Sequence, residues 1–150
     1  MLHTSVDGDV TGTVPGTLSL TVGAPADLGA FTPGVARDYF ASTAANVIST
    51  AGDALLSVAD PSSTATGHLV NWAFSAPAPL QARARNAMNT STAYNNVGSS
   101  ATPLNLLAYN GPISNDAVSL DFKQAIGATD ALRTGTYSKT LTFTLSTTSP

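Results

Sequence analysis

Tyr137-Ser138-Lys139-Thr140-Leu141-Thr142-Phe143-Thr144-Leu145-Ser146 alternates without interruption by Gly or Pro. Tyr137, Lys139, Leu141, Phe143 and Leu145 fall on one side, and Ser138, Thr140, Thr142, Thr144 and Ser146 on the other. A period of two over ten residues is the pattern of a strand with one face on a core and one in water. The same alternation places Leu18, Leu20 and Val22 opposite Thr17, Ser19 and Thr21. It recurs from Val118 to Ile126 and from Leu80 to Arg85. Further strands are expected over Leu28 to Thr32, Ala36 to Ser49 with a bend near Ala44, Ala54 to Ala59, His68 to Phe74 and Leu104 to Tyr109. Asn86 to Ser100 reads as a long loop.

Turn chemistry separates these runs: Gly23-Ala24-Pro25, Thr32-Pro33-Gly34, Ala51-Gly52-Asp53, Asp60-Pro61-Ser62, Asn110-Gly111-Pro112 and Thr134-Gly135. Short strands punctuated in this way predict an all-β fold, an antiparallel immunoglobulin-like sandwich of about eight or nine strands. The 150 residues suit a single domain, and 43% apolar composition supplies a core without cysteines.

Charged residues are 10% of the chain, against roughly 25% in an average soluble protein, and all nine acidic residues are Asp. The 37 Ser and Thr must therefore cover most of the surface, and they favour strands and turns over helices. A net charge of -3 offers no basic stripe for nucleic acid. No apolar run is long enough for a membrane span, and Met1-Leu2-His3-Thr4 does not read as a basic region followed by an apolar core. The Lys-poor, Glu-free surface suits an exported or cell-surface protein.

The common catalytic signatures are absent, and no cofactor-binding motif is found. His68 stands alone, so the chain is expected not to be an enzyme. As a general base His68 would need an orienting carboxylate, for which Asp60 or Asp53 are the candidates. Asp7-Gly8-Asp9 opens like a calcium loop, but the following positions supply only the hydroxyls of Thr11 and Thr13. A solvated turn is the preferred reading. The rows Thr140, Thr142, Thr144 and Thr17, Ser19, Thr21 resemble ice-organising arrays, although Thr is also the ordinary solvent-facing strand residue. Asn89-Thr90-Ser91 is a glycosylation sequon consistent with a surface loop.

Four large apolar residues do not fit a core stripe. Leu55 points away from Leu56 and Val58, and so is expected on the surface. Phe40 shares a face with Asp38 and Ser42, and Trp72 pairs with Phe74 on one side of a strand. Together they predict an apolar contact patch, three readings of which compete. Trp72 is a core tryptophan, or it is a stacking platform for sugar rings, or the patch is a contact between subunits.

The C-terminal string from Gly135 to Leu145, with Pro150 after it, resembles the distal motif of WxL-type cell-surface domains of Gram-positive bacteria. In that motif a Tyr precedes an L-T-aromatic-T-L strand and a Pro follows. The chain is also similar, including Thr13 to Val22, to β-sandwich modules of secreted actinobacterial proteins. It departs from the WxL pattern at Phe143, where a Trp is usual, and at Trp72-Ala73-Phe74, which ends in Phe instead of Leu. The resemblance implies an exported, non-catalytic binding or adhesion domain. Its partner would be a cell-wall polymer, a glycan or a surface protein, with Trp72 as the contact. The alternative is an assembly unit that forms a homo-oligomer through its exposed apolar residues.

Overall fold

A computed structural model describes all 150 residues and contains no helix. The strands are β1 (Leu18–Val22), β2 (Arg37–Ser49), β3 (Ala54–Asp60), β4 (Val70–Asn71), β5 (Phe74–Ser75), β6 (Leu80–Arg85), β7 (Asn95–Asn96), β8 (Gly98–Ser99), β9 (Leu104–Tyr109), β10 (Ile113–Ile126) and β11 (Thr142–Ser146). One sheet runs in the order β1-β2-β10-β6-β7. In the other, β3 pairs with β11 along one edge and with β9 and β8 along the opposite edge. β4 and β5 form a separate hairpin. All pairings are antiparallel except that of β3 with β8, which is parallel, so the expected all-antiparallel arrangement gives way to a mixed one.

Period-two alternation builds the interface between the two sheets. Leu80, Ala82 and Ala84 of β6 are buried while Gln81, Arg83 and Arg85 are not. Val47, Leu120, Leu56 and Val58, drawn from both sheets, are at most 1% exposed and belong to one apolar cluster. β2 is continuous over 13 residues, with no break at Ala44. The irregularity lies in its neighbour β10, where the register shifts between Ile113 and Asp116 and Asn115 takes a φ of 57°. Asn tolerates that region better than most residues.

One expected strand forms only in part and another not at all. Tyr137 to Leu141 leave the sheet, keeping only a bridge between Ser138 and Val70, and β11 is confined to Thr142–Ser146. The alternation is real, but in this stretch Lys139 reaches a buried partner described below. Leu28 to Thr32 likewise remains outside both sheets. β1 and β11, each paired on one side only, stand on the same side of the molecule, and the segments 23–33 and 132–141, outside both sheets, lie beside Val22 and Phe143 of these strands.

Candidate functional site

Trp72 occupies the tip of the β4–β5 hairpin, at the turn and not on a strand face. It is neither paired with Phe74 along a strand nor part of the core: its side chain is 95% exposed, and its φ is 54°. A bulky L-residue in the left-handed region carries about 1–3 kcal/mol of strain and persists only where its surroundings hold it. Here the base of the hairpin is held along β4 by the segment 133–138. Asn71, 4% exposed, donates from Nδ2 to the carbonyls of Arg133 (3.2 Å) and Thr134 (3.1 Å). Val70 exchanges backbone bonds of 3.0 and 2.9 Å with Ser138, and Ala76 N donates to Leu69 O at 2.8 Å. Gly135 lies so close to the Asn71 amide that a Cβ would come within 2.8 Å of it. Next to Trp72, Phe74 is 47% exposed and carries the Arg133 guanidinium 4.8 Å over its ring. The tip thus offers two aromatic faces and one cation on an anchored base.

Phe40 lies elsewhere, on the outer face of the five-stranded sheet, 58% exposed. Tyr94, from the loop following β6, approaches it at 6.0 Å and is capped by Arg83 at 4.4 Å and Lys123 at 5.8 Å. Beneath them Asp121, with a side chain 2% exposed, accepts from Arg83 Nε (2.8 Å), Ser42 Oγ (2.8 Å) and Ser119 Oγ (2.7 Å), and from the Arg85 guanidinium. Burial raises its carboxyl, but the bonds from Arg85, Ser119, Arg83 and Ser42 outweigh this and hold it well below the usual carboxylate range. A carboxylate so saturated has no lone pair free to take a proton from a substrate. It pins the strands instead.

Leu55 is on the outer face of the other sheet, flanked in register by Ser146 and Ala108, and is half-buried where the sequence predicts a surface residue. Three locations on different faces therefore replace the single patch. His68 is half-buried, with Nδ1 2.8 Å from the carbonyl of Ala76. Asp7 and Asp9 are exposed, and no group of three or more His, Asp or Glu side chains gathers anywhere in the molecule.

Sequence reasoning misses a buried ion pair. Lys139 Nζ is 3.1 Å from Asp60 Oδ2, with side chains 6% and 0% exposed. The ammonium also donates to the carbonyls of Thr64 (2.9 Å) and Ala65 (3.1 Å). Asp60 accepts in turn from the amides of Ser62 (3.0 Å) and Gly67 (2.8 Å). Burial pushes the Asp60 carboxyl up, but the Gly67 and Ser62 amides and the Lys139 ammonium outweigh it, so the net displacement is downward. Asp60 is held as the carboxylate and every polar atom of the pair has a partner, which makes the pair a clasp and not a nucleophile.

The sequence also does not reveal a groove of about 960 Å³ between the segments 23–33 and 132–141. Leu69, Leu80 and Phe122 of the core are among its lining residues. Phe31 packs edge-on to Tyr39 at 4.8 Å and approaches Tyr137 of the opposite wall at 6.4 Å. Only long-range folding brings these walls together, so no local pattern marks the groove. No family model, curated protein or solved structure matches the chain.

Proposed function

We propose that this chain is a non-catalytic binding or adhesion module of an exported or cell-surface protein, an immunoglobulin-like sandwich whose contact is the Trp72–Phe74 tip. One observation carries the reading: the only Trp of the chain is held almost wholly in water, in a strained backbone, on a base bonded to the segment 133–138. Strain retained at an exposed aromatic is typical of contact residues, because a preset ring spends less ordering entropy on binding. The ligand class that fits is a glycan or cell-wall polymer. Sugar C–H faces stack on aromatic rings, and the Arg133 guanidinium beside Phe74 adds donors for hydroxyl or acidic substituents.

The test is depletion of the purified protein from solution by Gram-positive cell walls and by insoluble polysaccharides, comparing wild type with Trp72→Ala. Depletion that the variant abolishes while keeping the wild-type circular dichroism spectrum supports a wall or glycan module. No depletion, or depletion indifferent to Trp72, overturns it. The alternative of a homomeric assembly unit is favoured by a different part of the chain.

A further inference from the structure

Residues 1–17 are exposed throughout, and Gly8, Gly12 and Gly16 have nothing within 4 Å of where a Cβ would stand. Yet their sequence is not that of a solvated tail. Leu2, Val6, Val10 and Val14 recur at every fourth position and lead into Leu18 of β1. Between them at the remaining even positions stand Thr4, Gly8, Gly12 and Gly16, while the odd positions carry His3, Ser5, Asp7, Asp9, Thr11, Thr13 and Thr17, with Met1 and Pro15 the two that are not polar. As an extended strand the segment has one face of alternating large and small apolar residues and one polar face. Leu2, Val6, Val10 and Val14 are 100%, 91%, 98% and 77% exposed. A segment with this alternation left bare, although not itself paired as a strand, is a surface suited to a partner.

The chain's own β1 cannot supply it through the turn that the sequence offers. A two-residue loop at Pro15-Gly16 would set Val10 opposite Thr21 and Thr13 opposite Leu18, turning the valines to the polar outer face. Continued in line, the even positions keep the parity of Leu18, Leu20 and Val22, which oppose the core-side residues Ser49, Val47 and Ala45. The bonds from Thr17 N to Thr50 Oγ1 (2.7 Å) and from Thr50 N to Thr17 O (2.9 Å) hold the chain at that end of β1. The groove lies at the other end, beside Val22 and Gly23.

The groove has the complementary character. Leu28, Phe31, Leu132 and Leu141 line it. Of the backbone N–H groups from Ala24 to Phe31, only that of Gly29 has a protein acceptor. Leu18 and Val22, although they point to the core side of β1, remain 43% and 42% exposed, so the seam is incompletely filled. Charge matches as well: the segment carries Asp7 and Asp9, and Arg133 on the groove wall pairs with no carboxylate.

We infer that residues 1–17 of one copy dock as an extended strand in the groove between segments 23–33 and 132–141 of a second copy. The valines fill the apolar floor, and Gly8 and Gly12 let the two backbones approach. This inference does not require the glycan reading, although Arg133, which lies over Phe74 at the tip, also stands on the groove wall. Because the donor segment and the acceptor groove are different surfaces, the contact is heterologous and propagates into chains unless two copies exchange segments reciprocally.

The test compares the full chain with the triple variant Val6→Ser, Val10→Ser, Val14→Ser by sedimentation velocity over a concentration series, and titrates a synthetic peptide of residues 1–17 into the isotope-labelled variant. These valines are 77% exposed or more within the single chain, so the variant keeps its fold. The expected result is concentration-dependent association of the full chain, weakened by about a hundredfold or more in the variant. Peptide-induced amide shifts are expected at 24–31 and 132–141. A monomeric full chain overturns the inference, and so do peptide shifts confined to other surfaces. If the full chain is monomeric with residues 1–17 protected from hydrogen exchange, the groove is filled by its own chain and the second-copy assignment falls.

Discussion

Trp72 is where the backbone and the side chain disagree. Its φ of 54° suits Gly, and nothing packs against its ring to compensate. Trp72→Gly is therefore expected to stabilise the fold by about 1 kcal/mol, raising Tm by roughly 3 °C in thermal circular dichroism. Trp72→Ala, whose Cβ keeps the clash, should recover less of it. An unchanged or lowered Tm for the glycine variant would show that the turn is not strained. Asn115, also at positive φ, invites no such gain, since its amide oxygen accepts from Asn46 Nδ2 at 3.2 Å. Phe40, more than half exposed over its sheet, is expected to be replaceable by Ser at a cost within about 1 kcal/mol, measured by urea denaturation. A larger loss would mean that the Tyr94 contact is a packing element.

At the scale of elements, the irregular segments are fastened by aspartates. Asp60 ties Lys139, and with it the approach to β11, to the end of β3. Asp53 accepts from Thr147, Thr148 and Ser149 and secures the stretch after β11. Lys139→Met leaves a buried carboxylate without its counter-charge, at an expected cost of about 3 kcal/mol near neutral pH. The acid dependence has a definite sign. Asp53, Asp60 and Asp121 are all held below the ordinary carboxylate range in the folded chain. Their stabilisation is complete above the unfolded-state value of about 3.9 and is lost as pH falls through the lower folded values. Tm should hold nearly constant down to about pH 5 and fall below pH 4. The gap between wild type and Lys139→Met should narrow over the same interval, because protonating Asp60 removes the charge that Lys139 balances. A gap independent of pH would argue that Lys139 acts through its carbonyl bonds alone.

Over the whole molecule, protection is expected to be uneven. β2 and β10 are each paired on both sides and contribute Val47, Val118 and Leu120 to the core. Their amides should be the slowest to exchange with deuterium, while those of 24–31 exchange fast in the monomeric valine-to-serine variant, where no second copy covers them. The order reversed would mean that the groove wall is held by bonds the fold does not display. Much of this plan was legible residue by residue. Leu80 to Arg85 and Val118 to Ile126 read as strands and are strands, because one-sided burial leaves its period directly in the sequence. Leu55 was read as exposed because alternation says which way a side chain points and not what covers that face. Within the period of Leu2 to Val14 only Asp7-Gly8-Asp9 stands out, as a turn, because glycines at alternate even positions mask the period.

The sequence by itself determined an all-β chain, since period-two alternation, abundant Ser and Thr and the absence of Glu leave helices without suitable faces. Tertiary structure alone decided that Tyr137 to Leu141 leave the sheet, that Trp72 stands in water and that two irregular segments enclose a groove. Each of these turns on a contact between residues far apart in the chain: Lys139 with Asp60, Asn71 with the carbonyls of Arg133 and Thr134, Phe31 with Tyr137. Local periodicity registers the energy of burying one face. It is blind to a hydrogen bond or ion pair whose partner lies dozens of residues away, and such bonds set where strands end and loops close.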